Sequence, residues 1–281
     1  MQFRFAEVTM TKSEKSFSLY SLGVEELAMA LGLINRREMG RQLLESIYDN
    51  LNESQIESRL SSASHSMLAR GWASISEKGS PILESGLEQA LFPLARFDYV
   101  LQISRVREGK QVGATVHVQK GKSFTSHSIQ AGVVHVLEHG DYKSLPAYLG
   151  DTFHANKEKE TSAVEHKWNI TPGVLGDALR NEKTGAISKI LSQAGLPDSD
   201  AQYLADDLTH QTIRGTILRM AAGAETDMQK MATMEKRMLM LLGSSKRNWL
   251  FEFPGADDAS VGKAWTVNQQ TLQKRLESFA L

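Results

Sequence analysis

The sequence predicts an α+β fold made of two related halves, and the order of its elements carries this prediction. Each half begins with helical stretches that have one apolar face, and runs of alternating apolar and polar residues follow. One further helix then ends each half. The repeated order predicts a pseudo-two-fold molecule, with residues 1–153 as the N-terminal half and 154–281 as the C-terminal half. Such an arrangement would allow the two sheets to join into one.

Three helices are predicted near the start of the chain. The first opens after Ser21 with an acidic first turn, and the second covers about residues 36–50. The third has the S-x-x-E pattern of a capping box at Ser54 and Glu57 and ends at Gly71. The spacing of apolar residues gives two of these helices an apolar face: Leu22, Leu27, Leu31 and Ile34 in the first, and Ile56, Leu60, Ala63 and Met67 in the third.

The periodicity then changes from helical to alternating, which predicts a β-meander. Its four strands are expected at residues 97–107, 111–119, 123–129 and 133–138. The separators are short and each contains a glycine, so adjacent strands should be antiparallel. A short helix at about 143–152 is expected to cover one face of this sheet or one of its ends.

The second half follows the same plan after a polar, charged stretch at 154–169, which is predicted to be a linker. Thr171 and Pro172 have the residue types of an N-cap and a first helical position, and a further helix is predicted at about 198–221. The remaining predicted elements are strands at 236–242, 247–253 and 262–267 and a terminal helix from Asn268 to about Phe279.

The composition limits the classes of function. The 32 lysines and arginines nearly balance 33 aspartates and glutamates, and the net charge of −1 argues against a general binder of polyanions. The chain has no cysteine, which excludes disulfides and thiolate zinc sites and fits a reducing compartment. No stretch approaches the roughly 20 apolar residues of a membrane span, and the first residues lack a signal peptide. We therefore expect a cytoplasmic protein.

Residues 53–80 have the outline of the reading helix and wing of a winged-helix DNA-binding domain. The helix offers Arg59, His65 and Arg70 against two glutamates, and its exposed face is mostly serine. Counterion release from several lysines or arginines supplies most of the affinity of protein–DNA complexes. This helix has too few basic residues to bind DNA in that way. A helical packing unit with a β-wing is the favoured interpretation, and DNA-binding transcriptional regulation is the alternative function.

Two groups of histidines are candidate metal ligands. The stretch HVLEH, from His135 to His139, matches the H-x-x-E-H pattern of one class of zinc proteases. Its β-branched flanks favour a strand, on which residues four apart lie about 13 Å from each other, too far for one zinc ion. His117 and His127 are expected to be diagonal neighbours about 7 Å apart on a polar sheet face. No catalytic residue, cofactor or metal site is predicted.

The methionines at 227–240 allow two interpretations. Met228, Met231 and Met234 are spaced by three, as one face of a helix requires. Methionines of this kind usually fill a core. Flexible thioethers also suit adaptable grooves for partner helices, and that second interpretation stays open.

A family resemblance covers roughly residues 20–150. Three consecutive runs carry it: LGVEELAMALGL, SSASHSMLARGW and DYVLQISRVREGKQVGATVHVQKGKSFTSHSIQAGVVHVLEHGDYKSLPAYL. Together they resemble the pattern of EspG-type proteins associated with type VII (ESX) secretion. The shared features are a leucine-rich first helix, a helix that ends in Ala-Arg-Gly, a meander and a following short helix. The second copy of helices and meander agrees with the pseudo-two-fold α+β fold of that family.

The resemblance implies a cytosolic, non-enzymatic chaperone or adaptor for helical type VII (WxG-like) substrates, with no nucleic acid or membrane partner. In that family, the loop between the second and third strands of the first meander contacts the helical tip of the substrate, together with sheet and C-terminal surfaces. On this sequence the loop covers 119–122 and continues into Ser123 and Phe124. The partner-binding candidates are therefore Lys120, Lys122 and Phe124, and we expect all three to be exposed.

Overall fold

A computed structural model describes residues 17–107, 110–153, 164–221, 236–257 and 259–281. A short 3-10 turn at Tyr142–Ser144 precedes the fifth of its helices. The helices in these ranges are α1 (Val24–Leu33), α2 (Arg37–Ile47), α3 (Glu53–Ala69), α4 (Ser85–Ala95), α5 (Leu145–Phe153), α6 (Pro172–Leu179), α7 (Thr184–Gln193), α8 (Asp198–Thr209) and α9 (Gln269–Ala280).

Ten strands of the described ranges form one antiparallel sheet, and two more form a small hairpin. The hairpin pairs β2 (Ala73–Ile75) with β3 (Pro81–Leu83). In spatial order the large sheet contains β1 (Ser18–Gly23), β7 (Val134–Asp141), β6 (Ser123–Gln130), β5 (Lys110–Gln119), β4 (Tyr99–Arg107), β9 (Gln211–Ala221), β10 (Lys236–Ser244), β11 (Asn248–Phe253), β12 (Gly262–Val267) and β8 (Val164–Ile170).

The strand order shows the pseudo-two-fold relation between the halves. The first strand of each half, β1 or β8, lies at an edge of the sheet. Beside it lies a meander of four strands, which is β4 to β7 in the first half and β9 to β12 in the second. The two meanders meet where β4 pairs with β9, and Ile103 lies opposite Ile217 at the middle of that pairing. The predicted α+β fold of two related halves is confirmed, and the two sheets do join into one. The division of the chain between residues 153 and 154 stays a prediction.

Helices cover both faces of the sheet. On one face, α5 and α9 pack together over the centre, and their apolar residues form a core with both meanders, including Val118, Phe124, Leu241 and Leu276. On the other face, α4 and α1 pack on the first meander, with α2 and α3 packed against α1, and α6 to α8 cover the second meander. The central core therefore contains residues from both halves, and the hydroxyl of Tyr99 in β4 donates a hydrogen bond to the carbonyl oxygen of Ala280 in α9.

One predicted helix is partly a strand. The prediction placed a helix over about 198–221, whereas α8 ends at Thr209 and β9 begins at Gln211. Ile213, Ile217 and Met220 are spaced by four and three residues, which is typical of a helix face. The segment is a strand because β4 and β10 supply hydrogen-bonding partners on both of its sides.

The ends of the sheet correct two more predictions. A linker was predicted over 154–169, but its last residues, from 164, belong to the edge strand β8, which pairs with β12. Residues 154–163 lie outside the described residues. Polar composition is common in edge strands, which have one unpaired side. The first helix was predicted to open after Ser21, but residues 18–23 form β1 on β7 and α1 begins at Val24. Leu22 is fully buried, as predicted, but it is in a strand.

The cap of α3 also differs from the predicted one. Asn52 accepts a hydrogen bond from the backbone N–H of Gln55 at 2.9 Å, and the Gln55 side chain accepts one from the Asn52 N–H at 2.9 Å. This reciprocal pair replaces the predicted box of Ser54 and Glu57 because the helix begins earlier. Of the methionine-rich stretch, residues 227–235 lie outside the described residues.

Candidate partner-binding site

The predicted contact loop is a tight turn between β5 and β6. The backbone N–H of Lys122 donates to the carbonyl of Gln119 at 3.0 Å, and Gly121 has a φ of 74°. Glycine adopts this left-handed conformation without the steric cost that other residues have. The side chains of Lys120 and Lys122 are exposed on either side of it, as predicted.

Two hydrogen bonds hold the turn against the connection between α4 and β4. The Gln119 side chain donates to the carbonyl oxygen of Arg96 at 2.8 Å. The backbone N–H of Lys120 donates to a carboxylate oxygen of Asp98 at 2.7 Å. The turn is therefore fixed in position beside the end of α4.

Phe124 does not lie on the surface, so the prediction that it is exposed is wrong. Its side chain is fully buried, with its ring centroid 5.1 Å from that of Tyr148 and 6.0 Å from that of Phe17. The reason is the alternation along β6: the residue that follows the turn by two positions points into the central core. Lys120 and Lys122 stay predicted contact residues.

The turn forms one wall of an open cleft of about 740 Å³. Three segments that are distant in sequence meet there: the connection of α1 and α2, the end of α4 with the start of β4, and the β5–β6 turn. The lining contains four basic side chains, one carboxylate, one amide and four apolar side chains: Arg36, Arg96, Lys120, Lys122, Asp98, Gln119, Ile34, Phe92, Ala95 and Phe97. We call this feature the basic cleft.

The four cations of the basic cleft are exposed and, among the residues that the structure describes, none of them has an ion-pair partner. Phe92 is also unusually open for an aromatic side chain, with 45% of its surface exposed. Arg36 reaches the cleft through the turn after α1, where Asn35 has a φ of 63° and the Arg36 N–H donates to the Leu31 carbonyl at 2.8 Å. Sequence reasoning missed Arg36, Arg96 and Phe92 because no local pattern links them to the lysines.

A row of histidines lies on the sheet beside the basic cleft. His117 is diagonal to His127 across the β5–β6 pairing, as predicted, and its ring packs edge-on against Phe97 with centroids 5.2 Å apart. His127 Nε2 lies 2.8 Å from His135 Nδ1, and the two ring planes are 16° apart with their centroids at 5.0 Å. One nitrogen of that hydrogen bond must be an unprotonated acceptor, so the bond requires at least one neutral ring. The His127–His135 contact was not predicted.

Burial lowers the pKa values of these histidines. Burial and the neighbouring His127 lower the pKa of His117 to about 4, and burial and the neighbouring His135 lower the pKa of His127 to about 4. Burial alone lowers the pKa of His135. The row is therefore neutral at pH 7.

We expect the free energy of unfolding to decrease as the pH falls from about 6.5 towards 4. In this window the unfolded chain binds protons at His117 and His127 but the folded chain, with both pKa values at about 4, does not. Above the ordinary value of 6.5 the rings are neutral in both states and the effect vanishes. At about pH 5 the loss should be on the order of 1 to 2 kcal/mol for each ring.

The measurement is urea unfolding at about pH 7.5 and about pH 5, in the natural chain and in His127→Gln. The variant should lose less stability between the two conditions because one depressed pKa is gone. Equal losses in both proteins would contradict the assignment of the pH effect to this ring.

The DNA-binding alternative finds little support in α3. Arg59 is paired with Glu25 at 3.0 Å and lies over the ring of Tyr48. Arg70 is paired with Glu26 at 3.0 Å and lies over the ring of Trp72. Both arginines thus stabilise the packing of α3 against α1. Few basic side chains of α3 therefore remain to contact the phosphates of DNA.

The histidines of HVLEH do not converge on one point. HVLEH lies on β7, as its flanks predicted, and His139 is close to Thr125 at 3.1 Å while His135 contacts His127. The described ranges contain no group of three or more histidine, aspartate or glutamate side chains placed to hold a metal ion. None of the helices described is long and apolar enough to span a membrane.

Comparisons with known proteins give a match in structure only. The sequence matches no family model and no curated protein. A solved structure that does match is that of the Mycobacterium tuberculosis type VII secretion system chaperone EspG5, in complex with a PE25-PPE41 dimer. The match covers 92% of this chain and 95% of that chain, with a TM-score of 0.57 and 10% sequence identity. The chain has the EspG5 fold. The fold implied by the family resemblance is therefore confirmed.

Proposed function

We propose that the chain is a non-enzymatic binding protein of the cytoplasm, a chaperone or adaptor for helical proteins exported by a type VII (ESX) secretion system. The observation that carries the proposal is the basic cleft on an EspG5-like fold, an exposed site whose four cations have no ion-pair partner among the described residues. The solved EspG5 structure contains a bound PE25-PPE41 dimer. By analogy, we expect a helical protein as the partner of this chain.

The partner is proposed to contact Lys120 and Lys122 at the β5–β6 turn. Exposed charges at the rim of an interface mainly set the association rate and its dependence on salt. The two hydrogen bonds that hold the turn, from Gln119 and to Asp98, reduce the conformational entropy lost on binding. A double charge reversal at the two lysines should therefore slow association without unfolding the protein.

The proposal is tested by affinity capture from the source cells, followed by reconstitution with purified components. The expected result is a helical protein that forms a stoichiometric complex with the chain in size-exclusion chromatography and that is secreted by the cells. Secretion of that protein should decrease when the gene for the chain is deleted. Capture of nucleic acid alone, or of a protein whose secretion is unchanged by the deletion, would refute the proposal.

A further inference from the structure

The basic cleft has a local charge that the composition of the chain does not explain. The whole chain has a net charge of −1, yet the described residues that line the cleft include Arg36, Arg96, Lys120 and Lys122, with Asp98 as the one carboxylate among them. The Asp98 carboxylate already accepts the backbone N–H of Lys120. The cleft therefore has an excess of positive charge that its own residues do not neutralise.

The cleft also has an apolar part. Phe92 projects from α4 with nearly half of its surface exposed, and Ile34 and Phe97 line the same cleft. A bare inorganic anion would leave this aromatic surface in water. A volume of about 740 Å³ is also far larger than one phosphate group requires. The ligand that satisfies both parts has carboxylates and at least one apolar side chain.

We propose that the basic cleft binds an acidic segment of a helical protein, with its carboxylates on Arg36, Arg96, Lys120 and Lys122 and an apolar side chain against Phe92. This proposal rests on the proposed function and specifies the chemistry of the partner. The two guanidinium groups can each make paired hydrogen bonds to a carboxylate, which the lysines cannot. The negative end of the helix dipole adds to the attraction if the segment is a helix C-terminus.

The test uses a synthetic helical peptide of about twenty residues that carries glutamates and leucines on one face, labelled for fluorescence anisotropy. A second peptide has lysine in place of every glutamate. The cleft variant is Arg36→Glu with Arg96→Glu. The matched control is Lys189→Glu with Lys274→Glu, which makes the same change in net charge at exposed positions away from the cleft.

The acidic peptide should bind the natural chain and the control variant with equal affinity, and the cleft variant at least about tenfold more weakly. Phe92→Ala should also weaken binding, while the lysine peptide should not bind. Binding should weaken as salt is added. Thermal unfolding of each variant verifies that the fold is intact.

Equal binding to the cleft and control variants, no binding of the acidic peptide, or its full displacement by inorganic phosphate or a single-stranded oligonucleotide would overturn the proposal. These results do not depend on the capture experiment. If a secreted helical protein is captured but binds the cleft variant unchanged, the proposed function stands and the cleft assignment fails. If no such protein is captured, the proposed function fails.

Discussion

Replacing Asp207 with alanine is expected to lower the free energy of unfolding by about 3 to 5 kcal/mol. The carboxylate is almost completely buried and receives three hydrogen bonds from the second half of the sheet. They come from Ser244 Oγ at 2.8 Å, Arg247 Nε at 2.6 Å and Trp249 Nε1 at 2.9 Å. Removing the carboxylate leaves the mostly buried Arg247 guanidinium without its counter-charge and the Trp249 N–H without its acceptor.

Urea or thermal unfolding measures this effect, and Asp206→Ala is the matched control. Asp206 is the preceding residue of α8, and its side chain accepts one hydrogen bond, from Gln202, near the surface. Its loss should cost about 0.5 kcal/mol or less. Similar destabilisation by the two substitutions would show that the buried network is not the source of the effect.

Replacing Phe124 with alanine is expected to lower the free energy of unfolding by about 3 to 5 kcal/mol. The ring is fully buried in the central core, packed against Tyr148 and Phe17. The core has little room to collapse around the missing ring because α5 covers it and the sheet backs it. Any loss of partner binding in this variant should follow from lost stability.

Phe92→Ala is the counterpart that separates stability from binding. Phe92 is the exposed aromatic side chain of the basic cleft, so its truncation should change stability by less than about 1 kcal/mol and still weaken binding of the acidic peptide. Denaturation and anisotropy on both variants give the comparison. If Phe124→Ala kept full stability but lost binding, the placement of this ring in the core would be wrong.

The first meander and strands β10 to β12 of the second could be predicted from the sequence because alternation and glycine-containing turns are local signals. The Lys120 to Lys122 turn is an example, since Gly121 marks it and the flanking strands alternate apolar and polar residues. The same local signals predicted that HVLEH is a strand, which the structure confirms. A strand cannot bring His135 and His139 to one zinc ion, although the H-x-x-E-H pattern suggests such a site.

The central strand β9 and the edge strands could not be predicted because their structure depends on partners far away in sequence. The spacing of Ile213, Ile217 and Met220 fits a helix, and only pairing with β4 and β10 makes the segment a strand. The composition of β8 is as polar as that of a linker, and the segment is a strand only because it pairs with β12. Local propensity is overruled in such cases by tertiary hydrogen bonding.

The candidate site was predictable only in part, for a similar reason. The turn lysines could be found because a turn tip points its side chains into solvent. Arg36 and Arg96 are separated from them by long stretches of sequence, and only the packing of α1 and α4 on the sheet brings all four cations to one cleft. Phe124 was placed on the surface because the register of β6 relative to the core was not known.

The proposed partner site is tested most directly by site-specific photo-crosslinking in the source cells, with a photoreactive phenylalanine analogue in place of Lys120. Lys189, exposed on α7 and away from the basic cleft, is the control position. We expect the probe at 120 to crosslink a helical secreted protein through an acidic segment, identified by mass spectrometry, and the probe at 189 not to crosslink it. Crosslinking of nucleic acid at 120, or of the same protein equally from both positions, would contradict the proposed site.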